Sequence, residues 1–77
     1  MTADAIIAAN PDFGFEKAKV GPYDGLIGTE PGTAKRVAVL YCAGMHVTFD
    51  WPMRPETIDV AWQNLERAVS NGMEGHA

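Results

Sequence analysis

The fold is decided by the stretch RVAVLYCAGMHVTFDW, which spans residues 36–51. Its first half, Arg36 to Cys42, is apolar at nearly every position, as expected for a central strand covered on both faces. Ala43-Gly44 supplies a two-residue turn, in which Gly44 can adopt a positive φ. Apolar and polar residues then alternate strictly, which is typical of a strand with one buried face. The stretch therefore predicts an antiparallel β-hairpin.

The segment after the hairpin predicts an amphipathic helix over residues 55–71. Pro55 suits the first turn of a helix, and Asn71-Gly72 predicts its C-terminal end. Apolar residues follow the i, i+3, i+4, i+7 spacing of one helix face: Ile58, Ala61, Trp62, Leu65, Ala68 and Val69. We expect this face to pack on the apolar side of the second hairpin strand. That side consists of Met45, Val47, Phe49 and Trp51.

The N-terminal region predicts a short helix followed by a strand. Thr2 can cap a helix over residues 3–9, although Ile6-Ile7 could instead belong to an edge strand. Residues 13–20 have a β-like pattern in which the two phenylalanines share one face, with a bulge near Glu16-Lys17.

Residues 21–33 predict a long loop. The segment contains four glycines and two prolines, residues that terminate helices and strands. Leu26-Ile27 either adds a brief strand or pins this loop to the core.

These elements predict one α+β domain over residues 1–77. We expect a small antiparallel sheet of three or four strands, packed in two layers against the C-terminal amphipathic helix, with a possible short N-terminal helix. The hairpin 36–51 and the helix 55–71 form its core. A chain of 77 residues buries only roughly 60% of its unfolded surface. Little material is left for a deep cleft, which favours a binding protein over an enzyme.

Cysteine usage and hydropathy predict a soluble cytoplasmic protein. Cys42 is the only cysteine, so no intramolecular disulfide can form, as is usual in a reducing compartment. The N-terminus lacks the basic and apolar regions of a signal peptide. No apolar run approaches the ~20 residues that a membrane span needs.

The charge of the chain argues against direct nucleic-acid binding. The net charge is −4, and the six basic residues are scattered along the sequence. Phosphate recognition normally requires a basic patch. An acidic surface could instead bind a basic protein surface, such as that of a nucleic-acid-binding complex, or could merely aid solubility.

No catalytic, metal or cofactor site is expected. His46 and Asp50 could act as a base and its orienting partner, but both are expected to face solvent on the polar side of the strand. Cys42 could be a reactive thiol near His46, although a cysteine within an apolar strand is more often a core residue. Cys42, His46 and His76 lack the spacing of a metal site.

Four residues are candidates for binding a partner: Asp12, Glu16, Tyr23 and Asp24. Protein interfaces favour aromatic anchors with charges at the rim. Tyr23 and Asp24 place an aromatic ring and a carboxylate on the predicted long loop, and Asp12 and Glu16 belong to the acidic residues of the chain. Tyr23 could equally be a pin that holds the loop to a small core.

The segment Asn10-Pro11-Asp12-Phe13-Gly14, which continues into Phe15-Glu16, resembles the opening of a small type I-F anti-CRISPR protein. The chain is also similar in size and acidity to the anti-CRISPR proteins of phages and mobile elements that act on type I systems, without distinguishing subtype I-C from I-F. The resemblance implies an inhibitor that blocks target DNA binding by the Cascade surveillance complex through an acidic surface. Asp12, Glu16 and Asp24 are the carboxylates nearest the matched segment.

A second hypothesis assigns a different function to the same predicted fold. The chain could be a small structural or accessory subunit, of a phage particle or a host complex, that self-associates through its sheet edge or helix. The inhibitor hypothesis predicts a salt-sensitive complex with a larger basic partner, whereas the subunit hypothesis predicts an oligomer without one.

Overall fold

A computed structural model describes the backbone of residues 2–74 and the side chains of residues 2–72. It confirms the α+β class, with a four-stranded antiparallel sheet, a C-terminal helix and a short N-terminal helix. The elements in chain order are α1 (Ala3–Ala9), a 3₁₀ helix (Pro11–Phe13), β1 (Glu16–Val20), β2 (Tyr23–Thr29), β3 (Arg36–Cys42), β4 (Met45–Asp50) and α2 (Pro55–Glu74). The strands lie in the order β1-β2-β3-β4. Within residues 2–74, no helix combines the length and hydrophobicity needed to cross a membrane.

The predicted hairpin is confirmed. β3 and β4 pair in register from Cys42 opposite Met45 to Val37 opposite Asp50. Ala43 and Gly44 both have positive φ, 46° and 89°, as a tight two-residue turn between twisted strands requires.

β3 is the centre of the structure because its side chains enter two separate cores. Val37 and Val39 belong to a cluster on the side of α1, and Ala38 and Leu40 belong to a cluster on the side of α2. All four are at most 5% exposed. The sheet is therefore covered on both faces, and the expected two-layer arrangement is wrong because α1 lies opposite α2.

The short N-terminal helix is stabilised at both ends by side chains. The Ala5 N–H donates to the Thr2 Oγ1 over 3.2 Å, and the Asn10 Nδ2 donates to the Ile6 carbonyl over 2.9 Å. Ile6, 3% exposed, packs with Phe15 in the core on that side. Burial of this apolar face offsets the small stability of an isolated seven-residue helix, and the alternative edge strand is not formed.

The apolar stripe of α2 packs as predicted on the opposite face. Ile58 and Leu65 are buried, and Trp62 is half-buried in the same cluster as Val47 and Phe49. Met45, at the start of the expected apolar side, is instead 41% exposed.

The predicted end of α2 at residue 71 is wrong. The helix continues through Asn71 and Gly72 to Glu74. Gly72 is exposed, and a Cβ at that position would meet no heavy atom within 4 Å. A glycine inside an exposed helix lowers stability without ending the helix.

The predicted long loop over residues 21–33 is wrong for residues 23–29, and the alternative of a strand at Leu26-Ile27 is confirmed, although the strand is longer than expected. Tyr23 to Thr29 form β2, an interior strand in which Leu26 has no exposed surface. Gly25 and Gly28 are buried, and a Cβ at either position would collide with neighbouring atoms. These glycines permit close packing inside a strand, so they do not mark a loop.

The strand predicted over residues 13–20 begins later than expected. Phe13 ends the 3₁₀ helix, and β1 pairs with β2 in regular register from Glu16 to Val20, without the expected bulge. Phe13 and Phe15 nevertheless share one side, where their rings stack with centroids 5.1 Å apart.

Candidate protein-binding site

The four residues predicted to bind a partner do not converge on one patch. Asp12 is exposed in the 3₁₀ helix, and Glu16 is exposed at the start of β1. Tyr23 and Asp24 are consecutive in β2, so their side chains point to opposite faces of the sheet. A binding site built around Tyr23 must therefore use residues other than Asp24.

Asp24 pairs with a lysine of the edge strand β1. Its Oδ1 lies 2.6 Å from the Lys19 Nζ, and the Asp4 Oδ1 lies 3.3 Å from the Lys17 Nζ. All four side chains are at least 64% exposed, so each pair contributes little to stability. These pairs leave alternating charges beside an open groove of about 380 Å³ whose lining includes Ala3 and Tyr41.

Tyr23 joins β2 to α2. Its ring stacks on Trp62 with centroids 4.7 Å apart and an angle of 16° between the ring planes. Its hydroxyl donates a hydrogen bond to the Asp59 Oδ1 over 2.9 Å. Tyr23 is thus a packing residue whose half-exposed ring remains accessible at the surface.

Two carboxylates flank the stacked rings. Asp59, Trp62 and Glu66 follow the i, i+3, i+7 spacing of one helix face. The negative charges of Asp59 and Glu66 both act on Tyr23. The pKa of Tyr23 is raised by its hydrogen bond to Asp59, by burial, and by the negative charges of Asp59 and Glu66. We call Tyr23, Asp59, Trp62 and Glu66 the aromatic–acidic cluster.

The carboxylates of this cluster are open to a cation from outside. Within residues 2–72, the salt bridges join Lys17 to Asp4 and Lys19 to Asp24, and neither involves Asp59 or Glu66. Glu66 is exposed and Asp59 is half-buried. The cluster combines two aromatic faces with negative charge, which together suit a guanidinium or ammonium group.

The sequence signal for this cluster was present but incomplete. The spacing of Asp59, Trp62 and Glu66 places them on one side of a helix, but the same periodicity counts Trp62 among the core residues. Tyr23 lies 36 residues before Asp59. Their contact depends on β2 being a strand, and the loop predicted over residues 21–33 gives no sign of it.

The polar residues of the hairpin do not form a catalytic arrangement. Cys42 packs in the core on the side of α2, whereas His46 is opposite Tyr41 on the other face of the sheet. His46 and Asp50 share a face but are four residues apart in a strand, a separation of roughly 13 Å. Both are exposed, as expected for the polar side.

Metal ligands do not cluster in the part of the chain that the structure describes. No group of three or more His, Cys, Asp or Glu side chains there could hold a metal ion. His76 lies outside the described residues.

Comparison of the chain with protein-family models, with curated proteins and with solved structures gave no match.

The raised pKa of Tyr23 predicts a loss of stability at high pH. The folded protein holds the phenol proton more tightly than the unfolded chain, so this contribution is complete below the unfolded pKa of about 10. It is lost as the pH rises through the folded pKa of Tyr23. In urea titrations at increasing alkaline pH, the unfolding midpoint of Tyr23→Phe should fall less steeply than that of the wild type. Asp59→Asn should flatten the profile in the same direction, and equal slopes for all three proteins would contradict the assignment.

Proposed function

We propose that this chain is a non-enzymatic inhibitor that acts in the host cytoplasm by binding a basic surface of a type I Cascade complex. Occupation of that surface would block binding of the target DNA. The observation that carries the proposal is the aromatic–acidic cluster, in which two stacked rings lie beside two carboxylates that have no salt bridge within residues 2–72.

The chemistry of the cluster is complementary to that of a DNA-binding surface. Proteins hold phosphates mainly with arginine and lysine, and arginine is the better partner for carboxylates and aromatic faces together. A guanidinium group could stack on the exposed side of Tyr23 or Trp62 while it pairs with Glu66. The cluster would then replace both the charge and the planar contacts that the nucleic acid supplies.

The wider surface supports the same interaction. The net charge of −4 would draw the chain toward a basic partner and would raise the association rate at low salt. Asp12 and Glu16 are exposed in and beside the segment that resembles anti-CRISPR proteins, and they add negative charge outside the cluster. We expect them to contribute through long-range steering of the partner and not through direct contact with it.

The direct test is a pull-down with the tagged full-length chain from hosts that carry defined type I CRISPR systems. We expect Cascade subunits to be recovered from at least one subtype, and the purified complex to lose binding of its target DNA when the chain is added. Failure to recover Cascade from hosts of every type I subtype would overturn the proposal.

Charge reversal at Glu66 should distinguish the contribution of the cluster to binding from that of the net negative charge of the chain. Glu66→Lys and Glu56→Lys both lie on exposed faces of α2 and change the net charge equally. We expect Glu66→Lys to weaken Cascade binding roughly tenfold or more, which corresponds to about 1.4 kcal/mol. Glu56→Lys should have a smaller effect that disappears at high salt, because it acts only through long-range attraction. Equal losses for the two variants, measured by biolayer interferometry at two salt concentrations, would show that the cluster has no special role.

A further inference from the structure

The two edges of the sheet differ in how they resist pairing with another strand. β1 has five residues and exposes Glu16, Lys17 and Lys19; charged side chains, lysine above all, are typical protection for an edge strand. β4 has six residues and contains neither lysine nor proline. It also pairs with β3 in regular register without a bulge. β4 is therefore the edge on which a further strand can be added.

The hydrogen-bonding groups of β4 that point outward can be assigned from its pairing with β3. The Trp51 N–H donates to the Arg36 carbonyl over 3.0 Å, so this pair is hydrogen-bonded. Hydrogen-bonded pairs recur at every second residue of an antiparallel ladder, which directs Val47 and Phe49 toward β3. The N–H and C=O groups of the intervening residues, His46, Thr48 and Asp50, point away from the sheet.

We propose that β4 pairs with β4 of a second copy of this chain in an antiparallel ladder whose two-fold axis passes through Thr48. In this register, His46 lies opposite Asp50 of the second copy, and the reverse pair forms by symmetry. Thr48 faces Thr48 of the second copy, and on the other face Val47 lies opposite Phe49. A histidine facing a carboxylate can hydrogen-bond to it, and paired threonines and an aromatic beside a β-branched residue are cross-strand pairs that stabilise sheets.

The neighbouring registers satisfy fewer of these groups. Opposed residues must point to the same face, so a symmetric ladder can be centred on a residue but not between two residues. Centring on Val47 would place His46 opposite Thr48, which removes both histidine–carboxylate pairs and leaves Asp50 without a partner in β4. Only the register through Thr48 pairs every outward backbone group of His46, Thr48 and Asp50.

The same register covers exposed apolar surface at the ends of the strand. Met45, which is 41% exposed, would lie opposite Trp51 of the second copy, and a methionine sulfur packs well against an aromatic ring. Trp51 is half-buried and follows β4 directly. The aromatic–acidic cluster involves β2 and α2 and is not part of this edge, so a dimer would present two copies of it. The pairing does not depend on the proposed inhibitor function.

The test is the oligomeric state of the full-length chain, measured by sedimentation velocity from low to high micromolar concentration. We expect a reversible monomer–dimer equilibrium. Thr48→Lys places two like charges face to face at the axis and should weaken dimerisation at least tenfold. Ser70→Lys, an equal charge change on the exposed surface of α2, should leave the equilibrium unchanged. A wild-type protein that stays monomeric at high micromolar concentration overturns the proposal.

Two further measurements identify the surface and the register. Asp50→Lys should weaken the dimer, because it places a cation opposite His46, and the double variant His46→Asp/Asp50→Lys should restore it. In amide hydrogen exchange, the N–H groups of His46, Thr48 and Asp50 should become protected as the concentration rises, while those of Val47 and Phe49 are protected throughout. A dimer in which the three outward amides exchange freely would place the contact elsewhere and would overturn the proposal.

Discussion

Replacement of Gly25 by alanine is expected to lower the free energy of unfolding by a large fraction of its total. A Cβ at this position would lie 2.5 Å from the Val39 carbonyl oxygen and 2.7 Å from the Val20 Cγ2. Both atoms belong to the strands that flank β2, and a backbone carbonyl in a central ladder cannot move without breaking its hydrogen bonds. Such overpacking costs about 1–3 kcal/mol or more. For a chain of this size, that is a large fraction of a total stability of about 4–12 kcal/mol.

Gly72→Ala is the matched control, because the same methyl group is added where nothing crowds it. Gly72 is exposed in α2 with no heavy atom within 4 Å of its would-be Cβ. Alanine is favoured over glycine in a helix by roughly 0.5–1 kcal/mol. Urea unfolding followed by circular dichroism should therefore shift in opposite directions for the two variants. An unchanged midpoint for Gly25→Ala would show that the strands do not approach as closely as described.

The second large effect is expected at Leu40. This side chain has no exposed surface and packs in the cluster with Val20, Ile58 and Leu65, which holds α2 against the sheet. Truncation to alanine removes apolar contacts and leaves a cavity that the rigid strands cannot close. Leu40→Ala should lower the free energy of unfolding by about 2–5 kcal/mol.

Val60→Ala provides the comparison for Leu40→Ala. Val60 lies in α2 but is 54% exposed, so its truncation should change stability by no more than about 0.5 kcal/mol. Tryptophan fluorescence and circular dichroism should give coincident urea transitions for both variants, since one sheet carries both cores. Similar midpoints for Leu40→Ala and Val60→Ala would contradict the assignment of Leu40 to the core.

The hairpin and the C-terminal helix were predictable because their signals are local. Strict alternation after Gly44 defines a strand with two different faces, and the spacing from Ile58 to Leu65 defines a helix face. The start of α2 at Pro55 was predictable for the same reason, while its end was not. Gly72 resembles a helix stop, but a glycine ends a helix only where the backbone turns to positive φ.

The candidate site was predictable only in part. Tyr23 was identified as an aromatic residue suited to an interface or to the core, and its contacts show that it packs against α2 while it remains half-exposed. Its partners, Trp62 and Asp59, come from an element more than thirty residues away. Local hydrophobic periodicity cannot predict a contact between elements so far apart in the sequence.

The amino-acid pattern alone established the α+β class, the pairing of β3 with β4 and the buried face of α2, because each depends on a repeat of two or 3.6 residues within one segment. Long-range packing settled the rest. Gly25 and Gly28 are typical loop residues by type, but in the fold β3 approaches Gly25 and Phe15 approaches Gly28 too closely for a Cβ. The apolar residues of β3 predict cover on both faces of the sheet, but only the packing of Ile6 with Phe15 and Leu26 places α1 on the face opposite α2.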